Sequence, residues 1–247
     1  MDSRFLNTDM RMKMKKIFNK KTWLSLLSLL LAIPAFANNL LKPYHATYDV
    51  IRGGSSLGTA TRMLEKTENG YVLSYESRIK FLFLSDNRKE TSHFTIKDNQ
   101  LTSQYYEMKR TGTGSDRHYQ LFFEPNAIKR KMEEAPLKID YQKHWLDNMS
   151  YQQQLALDMA AGKKKAHYAV VKRKGGTREY DFEFVKKDKL KLPYGELETI
   201  HVKRIYKNKD KAVNIWFAPS LNYSLVRLET IENGSIEMDI QLKSFQF

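Results

Sequence analysis

The chain contains no cysteine among its 247 residues, which removes disulfides, thiolate nucleophiles and cysteine-ligated metals together. Its six histidines, His45, His93, His118, His144, His167 and His201, are dispersed, with no pair at the spacing of metal ligands. Neither a metal site nor a cofactor is therefore expected. Gly112-Thr113-Gly114 lies between strand-like segments, and Gly53-Gly54-Ser55-Ser56 lacks the nucleophile-elbow spacing. A phosphate loop and a hydrolase serine are thus both unsupported. Glu133-Glu134, and Asp181 with Glu183, are the carboxylates that could do acid/base work. On the outer face of a strand such groups are usually just solvated, so no catalytic residue is assigned.

Long apolar runs are missing too, apart from Trp23 to Ile33, which is interrupted only by Ser25 and Ser28. Arg11, Lys13, Lys15, Lys16, Lys20 and Lys21 precede this run, Pro34 ends it, and Ala35-Phe36-Ala37 follows. That order is the order of a cleavable signal peptide, with cleavage expected between Ala37 and Asn38. The run is short of the roughly 20 apolar residues that span a bilayer. With no cysteine after it, a lipid-anchored lipoprotein is excluded. Met14 to Ala37 forms a compact signal peptide by itself, so translation can start at Met1 or Met14. The expected organisation is a signal peptide over 1–37 and a single β-rich domain over 38–247, placed in the periplasm of a Gram-negative-type envelope and spanning no membrane.

Removing residues 1–37 takes away 7 basic and 2 acidic residues, so the mature chain holds 42 − 7 = 35 against 28 − 2 = 26, a net of +9. Residues 163–211 contain 16 basic and 7 acidic residues, again +9, so the rest of the mature chain is neutral. In this compartment such an excess favours anionic lipid, lipopolysaccharide or acidic glycan rather than nucleic acid. Lys186, Lys187, Lys189 and Lys191 are the candidate contacts to an anionic surface. Lysine-rich strand edges also discourage aggregation without binding anything.

The dominant hydrophobic period is two. Tyr44, Ala46, Tyr48 and Val50 alternate with polar neighbours, as do Tyr180, Phe182 and Phe184, and Ile236, Met238, Ile240 and Leu242. Turn signals such as Asn69-Gly70, Asp98-Asn99 and Asn233-Gly234 separate short segments. The pattern predicts a mainly β protein, an antiparallel meander of ten or more strands forming an open half-barrel or clamshell. One segment departs from it. Ser150-Tyr151-Gln152-Gln153 fits a capping box, with Tyr151, Leu155 and Met159 on one face and Gly162 as a stop, which predicts one principal helix from Ser150 to Ala161 packed on the concave side.

Aromatic residues are abundant, and most should be core. Trp216-Phe217 is singled out because adjacent strand residues face opposite sides, so one of the two should line a groove or be exposed. With Tyr223, Arg227 and Arg204, Trp216 forms the candidate rim for a sugar or lipid headgroup. An outer-membrane barrel fits poorly, since alternate positions back from Phe247 reach Lys243 and Gln241 and break the apolar stripe.

Asp147-Asn148-Met149-Ser150-Tyr151-Gln152-Gln153-Gln154-Leu155, Leu192-Pro193-Tyr194-Gly195-Glu196-Leu197-Glu198-Thr199 and Trp216-Phe217-Ala218-Pro219-Ser220-Leu221-Asn222-Tyr223 with Val226-Arg227 together resemble the family catalogued as domain of unknown function 3108, found in exported proteins of Gram-negative bacteria. A proline commonly precedes the Val-Arg pair there, and Leu225 takes its place here. The resemblance implies a β half-barrel or clamshell and carries no established activity. Three functional classes follow: a non-enzymatic binding or carrier domain for an envelope lipid or glycan, an enzyme acting on envelope polysaccharide or lipid, and a structural partner that docks through a strand edge.

Overall fold

The computed structural model describes residues 41–125, 127–132, 137–140 and 144–247. The signal segment with its cleavage site, and Glu133-Glu134, lie outside the described residues.

Each segment of period two forms a strand, and the meander is nearly uninterrupted. In chain order the strands are β1 (Tyr44–Arg52), β2 (Ser55–Thr67), β3 (Gly70–Phe81), β4 (Leu84–Lys97), β5 (Gln100–Gly112), β6 (Arg117–Glu124), β7 (Ala127–Met132) and β8 (Leu137–Asp140). A helix, α1 (Ser150–Ala160), leads to β9 (Lys165–Val171), β10 (Thr177–Leu192), β11 (Gly195–Ile205), β12 (Lys211–Ala218), β13 (Ser224–Glu232) and β14 (Ser235–Gln246). The 14 strands form one sheet ordered β8-β7-β6-β5-β4-β3-β2-β1-β14-β13-β12-β11-β10-β9, and every neighbouring pair is antiparallel. The expected mainly β open half-barrel is therefore present.

The two halves join where the first strand pairs with the last, His45 opposite Gln246 and Val50 opposite Ile240. The sheet's free edges are β8 and β9, and two contacts cross towards them. Leu146 accepts from Val171 N at 2.9 Å and donates to Ala169 O at 2.9 Å, while Arg130 Nη1 on β7 donates to Arg173 O at 2.8 Å. At one end the β10–β11 hairpin reaches back to β14, where Tyr194 N donates to Leu242 O at 3.0 Å.

The inward residues of β1, Tyr44, Ala46, Tyr48 and Val50, are all buried because alternation puts every second side chain inside the curve. The helix fills much of that interior. Leu155 and Met159 are buried as expected, and Tyr151 packs among Tyr168, Tyr180 and Phe182. Its other faces are buried as well: Gln154 accepts from Leu101 N at 2.8 Å and donates to Asn99 O at 2.9 Å. On the far side Asp158 accepts from Tyr168 Oη at 2.7 Å and from Lys163 at 2.9 Å. The helix therefore ties the β4–β5 turn to β9 across the interior.

The capping box differs from the expectation. Ser150 is already helical, and Met149, which precedes it, makes no side-chain cap. Asp147 does the capping instead, with Oδ1 accepting from Met149 N at 2.8 Å and Ser150 N at 2.9 Å. A carboxylate is the stronger acceptor, and this one reaches two unpaired backbone donors at once. Gln153 does not reach back; Gln152 bonds Asn148 O at 3.2 Å.

Candidate ligand-binding cavity

A cavity of about 390 Å³ lies inside the curved sheet between the N-terminal half of α1 and strands β1–β6, β13 and β14, within the range of small-molecule sites. One wall is apolar, formed by Leu225, Leu228, Met238 and Ile240 from β13 and β14, with Met149. The other carries Arg62, Arg88, Arg110 and Arg117, and Glu90 is the single carboxylate among its described lining residues. Arg117 is exposed and marks the mouth. A smaller hollow of about 180 Å³ shares Met108, Arg117 and Asn148 and continues past Arg178 to Lys172 and Arg173.

These arginines are not alike. Arg110 is held by a bidentate pair to Asp86 at 2.9 and 2.8 Å. Arg88 stands 3.5 Å from Glu90, and Glu90 also accepts from Tyr106 Oη. Burial first, then Glu90, pushes the Tyr106 hydroxyl well above its ordinary pKa, so it stays a donor. Arg62 is different: it is 6% exposed, and its hydrogen bonds among the described residues are to neutral groups, Tyr44 Oη at 3.0 Å and Gln152 Oε1 at 2.8 Å. No carboxylate among the described residues pairs with it. Arginine stays protonated in proteins, so the cavity wall holds a buried cation without a counter-charge, an arrangement that costs several kcal/mol unless something compensates it.

The four residues singled out for a headgroup rim fall in different places, and none lines this cavity. Trp216 and Arg227 do meet, with the guanidinium 4.9 Å from the indole ring. They face away from the cavity, since Arg227 alternates with the lining residue Leu228 on β13. Trp216 is buried, stacked on His201 at 4.4 Å. Arg227 is occupied by Asp239 at 2.9 and 2.8 Å and by Glu229 at 2.9 Å. Both members of Trp216-Phe217 are buried, so neither is exposed. Arg204 lies apart, its guanidinium 3.4 Å above Tyr180 and 4.4 Å from Tyr206. Tyr223 sits in a turn at φ 55°, packed on the core.

Lys186, Lys187, Lys189 and Lys191 are exposed along β10. Lys186 pairs with Asp188 at 3.2 Å and Lys189 with Glu196. Among the described residues no group of His, Asp and Glu could hold a metal ion, and no helix is long and apolar enough to cross a membrane.

Sequence reasoning missed Arg62, although a signal was present. In β2 the inward positions run Ala60, Arg62, Leu64, with Ala60 and Leu64 both 1% exposed. A charge in an inward register is the anomaly that points to a site.

Three solved structures align with most of the chain. A β-barrel-like protein of domain of unknown function DUF1849 from Brucella abortus aligns over 83% of this chain and 98% of its own, with TM-score 0.58 and 11% identity. A protein described as exported, with a YmcC-like fold, from Bacteroides fragilis covers 83% and 95% with TM-score 0.34 and 11% identity. One described as a lipoprotein from Parabacteroides distasonis covers 83% and 95% with TM-score 0.33 and 12% identity. At these identities only the first carries an argument, and it concerns the fold alone. We found no match among the curated proteins. The model of the family described as "Protein of unknown function (DUF3108)" matches residues 44–241, and the chain belongs to that family.

Proposed function

We propose that the protein is an exported, periplasmic binding or carrier domain, and that its ligand is an amphiphilic anion: an acyl chain or comparable apolar body carrying a carboxylate or phosphate. The observation that carries this reading is Arg62, a buried cation without a counter-charge that faces an apolar wall across the cavity. An anionic headgroup on Arg62 supplies the missing charge, while Leu225, Leu228, Met238 and Ile240 take the apolar body. The volume limits the choice. At about 390 Å³ the cavity suits one single-chain amphiphile or a short glycan. Export rests on the signal-peptide order of residues 11–37. An enzyme acting on polysaccharide or lipid would need a second carboxylate beside Glu90 to form an acid/base pair.

The test is mass spectrometry of small molecules extracted from protein purified from its own periplasm, comparing wild type with Arg62→Gln. A single-chain anionic amphiphile should accompany the wild type and be depleted in the variant. Protein that carries no such molecule, and does not bind an added long-chain fatty acid, would refute the reading. Intact mass of the same sample checks that the mature chain starts at Asn38.

A further inference from the structure

The turn between β3 and β4 breaks two rules at once. Two-residue hairpin turns favour Gly, Asn or Asp, because the first central residue, and in one turn type both, needs positive φ. Here the two central residues are Leu82, at φ 53°, and Phe83. Leucine at positive φ is strained. The four residues Phe81, Leu82, Phe83 and Leu84 are also 47%, 82%, 96% and 57% exposed. Four consecutive exposed apolar residues are a liability in water unless they have a use. The tip is braced rather than loose: Thr113 N donates to Ser85 O at 3.0 Å and Ser85 N to Thr113 Oγ1 at 2.8 Å.

Topology decides what surrounds this tip. Turns in an antiparallel meander alternate between the two ends of the sheet. The β3–β4 tip therefore shares its end with the β1–β2, β5–β6, β9–β10, β11–β12 and β13–β14 turns and with the β7–β8 connection, whose residues 133–136 lie outside the described ones. Among the described residues, the turns of this end carry Lys172, Arg173, Lys174, Lys207 and Lys209 against Asp116 and Asp210. At the other end Lys163 and Lys164 stand against Glu68 and Asp98, outside the 141–149 connection. Two further exposed apolar residues, Ile205 at 41% and Ile236 at 45%, flank turns of the basic end.

We infer that this end docks on an anionic lipid bilayer, with Leu82 and Phe83 entering the headgroup–acyl boundary and the basic turns resting on the charged surface. An apolar tip on the same end of a sheet as turns with an excess of lysine and arginine is the pattern of interfacial membrane binding, where buried apolar area and attraction to anionic lipid add. A protein partner with an apolar socket, or a second copy of this chain, would take the apolar tip without requiring the basic turns. Docking does not depend on what occupies the cavity, so Arg62→Gln protein should dock as the wild type does.

The absence of cysteine makes the test clean. Phe83→Cys and, at the opposite end, Glu68→Cys are each labelled with an environment-sensitive nitrobenzoxadiazole probe in the full chain. Vesicles contain phosphatidylglycerol with phosphatidylethanolamine, or phosphatidylcholine alone. The apolar run Trp23 to Ile33 can itself bind lipid in an uncleaved chain, so the reading is taken at the two probes rather than from sedimentation. The probe at 83 should shift to the blue and be quenched by nitroxide-labelled acyl chains on the phosphatidylglycerol vesicles, and the probe at 68 should not. Leu82→Gly in the chain labelled at 83 puts glycine at the central position with positive φ, so it should fold at least as well while the partitioning read at that probe falls about tenfold. Replacing Lys172, Arg173, Lys174, Lys207 and Lys209 by Gln should abolish the preference for charged vesicles. The same change at Lys186, Lys187, Lys189 and Lys191 should leave it intact. A probe at 83 that stays in water on vesicle-bound protein, equal quenching at 68, or a blue shift at 83 that grows with protein concentration in the absence of lipid would overturn the inference.

Discussion

Asp147 shows how much one buried carboxylate can organise. It is fully buried, yet its oxygens accept from Ser92 Oγ and Ser103 Oγ at 2.8 Å each and from two backbone amides at the start of α1. Burial pushes its pKa up, and these hydrogen bonds oppose that rise. Asp147→Ala should lower stability by about 3 kcal/mol in urea unfolding, since it removes a cap and strands the buried Ser92 hydroxyl, while Ser103 keeps Ser150. Asp147→Asn, which keeps one acceptor, should cost less. A second residue-scale expectation concerns His201, stacked on Trp216. Burial lowers its pKa from 6.5, so the unfolded chain takes up a proton before the folded one does. The stability it contributes is present above pH 6.5 and is lost as pH falls through its lower folded value. The urea midpoint should therefore drop between pH 7 and pH 5 by less in His201→Gln than in wild type. His167, whose pKa is raised by the hydrogen bond to Asp181, acts in the opposite direction in both proteins and cancels in the comparison.

At the scale of elements, α1 is amphipathic by sequence but enclosed in the structure. Leu155→Ala should destabilise by about 2–5 kcal/mol, because its 0% exposed side chain leaves a cavity that rigid neighbours fill poorly. The denaturant midpoint reads this directly. Most strands were legible because one face is buried and period two results. The strands β7 and β8 were not: Ala127-Ile128-Lys129-Arg130-Lys131-Met132 is short and has three consecutive charges, and the strand depends on pairing with β6. The polar side chains Gln154 and Asp158 point to solvent when the helix is read alone, and only the tertiary structure supplies Leu101, Asn99 and Tyr168 as partners. The cavity was less legible still. Trp216 and Arg227 draw attention as residue types, whereas Arg62 stands out only once the inward register of β2 is known. Gly112 matters for a similar tertiary reason: at φ 146° it passes so close to Ser85 O that a Cβ would collide with it.

At the scale of the whole molecule, the β1–β14 seam sets the folding problem. Thr47 and Ser244, which share a hydrogen bond at 2.6 Å, are 197 residues apart in sequence, while every other strand pair joins sequence neighbours. A circular permutant that joins the described ends and opens at Gly162 would place β9–β14 before β1–β8 and make all thirteen pairings local. Lower contact order speeds folding. The permutant should therefore refold faster than the natural order in stopped-flow tryptophan fluorescence, with a similar equilibrium midpoint. Equal refolding rates would mean that closing the seam is not the slow step.

The same seam bears on how the chain is made. A strand whose partner follows it 197 residues later leaves the ribosome with one edge unpaired and keeps it so over that interval. β1 is in that position, and the half-sheet β1–β8 cannot be completed on that side until Gln246 is free. An unpaired strand edge is the usual starting point for aggregation. The first strand therefore keeps that edge exposed until its twelve-residue partner β14 is delivered.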